Sequence, residues 1–165
     1  MANSKKVFTI GYSGLKPSDF IEICKSNGVS KIIDIRRFPV SVKEPFYDRD
    51  ALKSFLAPSK MSYVWLGEDL GGFREGGYEK YTKTKGFQRG IEALEKEASG
   101  DRAAILCAEQ DWTKCHRKHI AEALERRGWM VVHLELREKV PVAAVEEKKV
   151  EAKPEAELQA MPARA

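Results

Sequence analysis

The chain has 165 residues, 42% apolar and 33% charged, with 12 Gly and 7 Pro. That composition predicts one globular domain of ordinary size and excludes collagen-like and wholly disordered chains. No apolar run approaches the roughly 18–20 residues of a membrane span. The net charge is +4, and residues 141–165 carry four basic against five acidic side chains, which leaves +5 on residues 1–140. This mildly basic body permits an anionic partner without requiring one.

In chain order, short apolar runs alternate with longer amphipathic stretches. Residues 7–10 (Val-Phe-Thr-Ile) read as a buried strand, followed by Gly11-Tyr12-Ser13-Gly14. Pro17 opens a helical pattern of Phe20, Ile21 and Cys24, with Asp19 at its positive end and Gly28 as its stop. Residues 31–35 are a second strand, ending near Asp34 and Arg36. Asp48 is expected to cap a short helix carrying Leu52, Phe55 and Leu56, ended by Pro58. Residues 62–66 are a third strand, and residues 67–85 a long Gly-rich loop. Phe87, Ile91 and Leu94 stand at helical spacing before Gly100, and residues 103–107 form a fourth strand. A helix is predicted over 114–127 and a fifth strand over 130–134. Five strands alternating with four helices predict an α/β fold, a single three-layer domain over 1–140 with a mainly parallel sheet between helices. Residues 141–165, rich in Ala, Glu and Lys and without an aromatic residue, read as a solvated tail. The apolar segment after Lys6 is too short for a secretory signal core, so a cytoplasmic location is expected.

A parallel sheet gathers the carboxyl ends of its strands at one edge, where ligands bind. The chemistry-bearing residues of this chain fall at those ends. Asp34 stands inside the apolar run 32–35, where a carboxylate needs a partner. Arg36, two residues on, would share its strand face if the strand extends that far, and offers two readings: a buried ion pair, or a general base (Asp34) beside an anion grip (Arg36). Cys115-His116-Arg117 is expected to open a helix, whose dipole and neighbouring cations would favour a Cys115 thiolate. That reading stands against a small thiol packed under the sheet edge. Arg117 at the helix start suits an anion. Glu109 is a second-rank acid, and Gly11, Tyr12, Ser13, Arg74 and His116 complete the expected binding residues.

Cys107, Cys115, His116 and His119 have zinc-ligand side chains but not a usual zinc spacing. With Cys24 the cysteines number three, too few for a disulfide framework, although a transient Cys107–Cys115 bridge is geometrically conceivable. Loop aromatics (Tyr12, Phe38, Phe73, Tyr78, Tyr81 and Trp112) interleave with Arg36, Arg37, Arg74, Lys114 and Arg117, a mixture that suits either stacking bases and holding phosphates or ordinary lid packing. Neither a Walker loop nor G-x-G-x-x-G occurs, and the sequence specifies no metal and no cofactor.

Together, Thr9-Ile-Gly-Tyr-Ser13, Asp34-Ile-Arg36 with Pro39 and Ser41, Leu70-Gly-Gly72 with Arg74, and Cys107-Ala-Glu109 with Cys115-His-Arg117 resemble the family called domain of unknown function 488, over residues 7 to about 136. The resemblance implies a compact intracellular α/β domain and points to these same residues; the family motif often has His where Tyr12 stands. The expectation carried forward is an enzyme, hydrolytic if Asp34 activates water, acting on a phosphate-bearing substrate such as a nucleotide or nucleic acid. Its rivals are a non-catalytic anion or nucleic-acid binding module and a thiol redox protein using Cys115.

Overall fold

The three most deeply buried strands form the middle of the sheet. In the computed structural model, which describes residues 5–137 and 140–141, β1 (Lys6–Gly11), β2 (Lys31–Asp34) and β4 (Ala103–Cys107) are buried along nearly their whole lengths. β3 (Ser62–Trp65) and β5 (Met130–Leu134), with their more polar faces, flank them. All five strands are parallel, in the order β3-β2-β4-β1-β5. A two-stranded antiparallel piece, β6 (Leu136–Arg137) with β7 (Val140–Pro141), follows. The expected tail, 141–165, lies outside the described residues apart from Pro141.

The strand order fixes the layers. α1 (Pro17–Ser26) and α2 (Arg49–Leu56) carry the chain towards β3 and cover one face, packing Phe20, Ile23, Leu52 and Leu56 on Phe8, Ile10 and Ile32. α5 (Lys85–Ala98) and α6 (Arg117–Arg126) carry it back and cover the other, packing Phe87, Ile91, Leu94, Ile120 and Leu124 on Val7, Ile33 and Ile105. Each such aliphatic or aromatic side chain, removed from water, contributes about 1.5–3 kcal/mol. β4 therefore lies between two strands whose connections leave towards the opposite face, the arrangement that opens a crevice at the carboxyl edge. The register levels the tips there: Gly11 pairs with Cys107 and Asp34 with Leu106.

Helix ends follow local chemistry. Pro17 sits in the first turn of α1, and Gly28 (φ +73°) receives the turn that ends it. Thr84 caps α5 by accepting from the Phe87 N–H at 3.2 Å. Asp48 precedes α2 but its side chain accepts from the Ser41 N–H instead of capping.

Two expectations are corrected. Residues 67–85 contain two four-residue helices, α3 (Gly67–Leu70) and α4 (Tyr78–Tyr81). They are tied together by the Tyr78 and Tyr81 hydroxyls donating to the carbonyls of Leu70 and Asp69, each at 2.7 Å. The last long helix begins at Arg117, not near 114. Asp111 accepts from the Thr113 N–H (3.0 Å) and hydroxyl (2.6 Å) and winds Trp112–Lys114 into a 3-10 turn, which leaves Cys115 extended at φ −121°, ψ 155°. No helix among the described residues is long and apolar enough to cross a membrane.

Candidate functional site

Cys107 ends β4, and Cys115 follows the 3-10 turn, so the turn folds one sulfur back over the other: the two Sγ atoms are 2.8 Å apart. Burial pushes the Cys107 thiol up and keeps it protonated, so it donates to Cys115. Cys115 is held well below the usual thiol range, first by that S–H donor, then by His116 and by the Arg117 N–H, which reaches its sulfur at 3.4 Å. The Ile35 carbonyl lies 3.3 Å from His116 Nε2 and takes its N–H, which turns Nδ1 towards Cys115 Sγ at 3.7 Å. Cys24, deep under α1, shows the contrast: burial alone pushes its thiol up to about 12.

Beside the thiols stands Arg36. Its Nε and Nη2 grip both oxygens of Asp34 at 2.9 and 2.7 Å, and its Nη1 donates to the Tyr12 hydroxyl at 3.2 Å. Of five guanidinium N–H groups, two remain for a ligand. Asp34 itself is fully buried and also accepts from the Arg36 backbone N–H (3.0 Å) and the Tyr63 hydroxyl. It therefore aims Arg36 and does not reach the cavity.

Arg117 is likewise buried, 1% exposed. It donates to Thr9 Oγ1 (3.1 Å) and to the carbonyls of Glu109 and Gln110, locking the loop after β4 onto β1. Thr9 Oγ1 lies 2.6 Å from His133 Nδ1, and His133 stacks on Trp112 with ring centroids 3.9 Å apart. Burial, then the Arg117 charge, lowers the His133 pKa to about 4. In the unfolded chain His takes a proton near pH 6.5, so between about pH 6.5 and 4 the unfolded state binds more protons and stability falls as the pH falls. We expect the urea midpoint to drop across that window and His133→Gln to flatten the drop. An unchanged slope in the variant would remove His133 from the account.

The thiols and Arg36 face a cavity of about 460 Å³, which Tyr12, Glu109, Lys114 and His116 also line. Phe38, Phe73 and Tyr78 form its apolar lip. The loops close around it because they have no side chains in the way. A Cβ on Gly71 would stand 2.4 Å from that of Arg37, and one on Gly72 would stand 3.3 Å from His116 Nδ1.

Of the residues singled out in the sequence, Tyr12, Arg36, Glu109, Cys115 and His116 come together here. Asp34 and Arg117 lie behind it as supports. Gly11 packs on the Glu109 backbone, and the Tyr12 and Ser13 N–H groups are taken by the carbonyls of Cys107 (3.1 Å) and Ala108 (2.9 Å). Arg74 lines a neighbouring cavity of about 470 Å³. Cys107, read in the sequence as a zinc-type or disulfide side chain, and Lys114, read as one of the loop cations, also join the site. Their signal was available, as the last residue of an apolar strand and a cation next to Cys115. Among the described residues no three His, Cys, Asp or Glu side chains are grouped to hold a metal ion.

A family model described as domain of unknown function DUF488 matches residues 16–124, 109 of the chain's 165 residues. No curated protein and no solved structure matches the chain.

Proposed function

The chain belongs to the DUF488 family, whose description states no activity, and from the site alone we propose an enzyme that acts on a phosphate-bearing substrate with Cys115 as its nucleophile. The observation that carries this reading is the position of Cys115 Sγ. It lies 2.8 Å from the Cys107 thiol, 3.7 Å from His116 Nδ1 and 3.4 Å from the Arg117 N–H, and it borders an open cavity. Each neighbour favours the thiolate, the reactive form. Arg36 and Lys114 on the same wall suit an anionic group, and Arg36 keeps a fixed aim through Asp34. In this reading Cys115 bonds to the electrophilic centre of the substrate as the leaving group departs and takes a proton from water, and a second water then cleaves the adduct and returns the Cys115 thiolate.

A panel of sugar phosphates, nucleotides and oligonucleotides, followed for product, tests the proposal. Cys115→Ser should lower turnover about a thousandfold or more. Turnover that survives the substitution sinks the nucleophile, and a non-catalytic binding module predicts no turnover from any member.

The 2.8 Å approach of the two sulfurs also favours a second reading, dithiol exchange. Cys115 would attack a substrate disulfide, and Cys107 would displace the mixed disulfide. Both thiols are thereby oxidised and the substrate is reduced to two thiols. The readings separate at Cys107→Ala, which abolishes disulfide exchange but leaves a nucleophilic Cys115.

A further inference from the structure

The lip of the thiol cavity carries two large rings in water. Phe38 is 61% and Phe73 84% exposed, and their rings, from two separate loops, lie with centroids 6.2 Å apart and planes tilted by 36°. A flat heterocycle stacks between the two rings once the loops part and the rings turn parallel. Phe73 also holds φ at +61°, a strained conformation for a bulky residue. Arg37 secures it by donating to the Phe73 carbonyl at 2.9 Å. The fold thus retains both strain and an exposed apolar pair at the entrance to its site.

The second cavity adjoins the first: Arg37 and Phe38 line both. Trp65 and Tyr81 give it aromatic walls; Arg37, Arg74 and Arg89 outnumber Glu68 and Asp69 on its lining, with Arg89 paired to Asp69 at 3.3 Å. A track of alternating rings and guanidiniums longer than one cavity fits a chain of bases and phosphates better than a lone nucleotide. We propose that Phe38 and Phe73 clamp one base of a single-stranded nucleic acid whose neighbouring nucleotide occupies the second cavity, bringing the strand to Cys115. This rests on the reading that the thiol cavity receives the substrate.

Fluorescence anisotropy with labelled deoxy- and ribo-strands of about ten nucleotides tests it, alongside the same sequence as a duplex and free mononucleotides as competitors. The rate at which iodoacetamide labels Cys115 is read in parallel. We expect at least one single strand to bind, the duplex and mononucleotides to bind far more weakly, and the bound strand to slow Cys115 labelling. Phe38→Ala should weaken binding about 5- to 150-fold, the range of one base–ring stack. Phe73→Gly should do the same while relieving the positive φ, so its fold is not at risk. Unchanged binding in both variants overturns the clamp, and mononucleotides competing as well as the strand overturn the track. Binding that leaves Cys115 labelling unchanged also overturns the proposal, because the strand then lies elsewhere. If no strand binds while Cys115 still reacts fast, this inference falls and the thiol reading stands; a slow Cys115 in the free protein defeats the thiol reading instead.

Discussion

Asp34→Asn should destabilise the fold by about 3–5 kcal/mol, the cost of leaving a buried charge without its partner. The Arg36 side chain is only 6% exposed and its counter-ion is completely buried. Every group that meets Asp34 is a donor: the Arg36 backbone N–H, Nε and Nη2, and the Tyr63 hydroxyl. An amide offers one acceptor oxygen and turns two N–H groups of its own towards these donors. Urea unfolding measures the loss. A variant that keeps wild-type stability but has no turnover would restore Asp34 to the catalytic role expected from the sequence. A variant that is unstable and binds an anion poorly fits a residue that aims Arg36.

Gly11→Ala is the second large effect. A Cβ there would stand 1.9 Å from the Glu109 carbonyl oxygen and 2.8 Å from the Gln110 Cα, so backbone must move. Overpacking typically costs about 1–3 kcal/mol, and a backbone obstruction belongs at about 3 kcal/mol. The obstructed backbone is that of Glu109 and Gln110, whose Glu109 carbonyl lies 3.7 Å from Cys107 Sγ, so its displacement shifts the Cys107 thiol and weakens the donor of Cys115. The variant should therefore have both a lower urea midpoint and a slower-reacting Cys115. A stable variant with an unchanged Cys115 would mean that the contact between β1 and the loop after β4 does not set the site.

The same contact explains how far the sequence could be read. The strands over 7–10, 31–35 and 103–107 were legible because a sheet covered on both faces needs continuous apolar runs. Their parallel order then implied one chemical edge. The pairing of Asp34 with Arg36 was legible as one of two readings, since Arg36 follows two residues after Asp34, where β2 ends. The burial of Arg117 was not: beside Cys115 and His116 it reads as an anion grip, and its partner Thr9 is 108 residues away. Nor was the start of α6 legible, because Asp111 favours a local turn over continued helix. That turn matters most for the chemistry. It takes Cys115 out of the helix, so its low pKa comes first from a neighbouring thiol, with His116 and the Arg117 N–H behind it. The helices inside 67–85 are too short to leave a period, and they are held by tyrosine hydroxyls whose targets no spacing rule specifies.

The most direct test is the pH dependence of iodoacetamide labelling at each cysteine, resolved by mass spectrometry of peptides. Cys115 should react fastest and keep its rate from alkaline through neutral into acidic pH. Cys107 should lag, Cys24 should stay silent until the chain unfolds, and Cys107→Ala should move the Cys115 inflection upwards. A Cys115 rate that falls tenfold for each pH unit below about 8.5, as a free thiol does, would contradict the thiolate at the centre of the site.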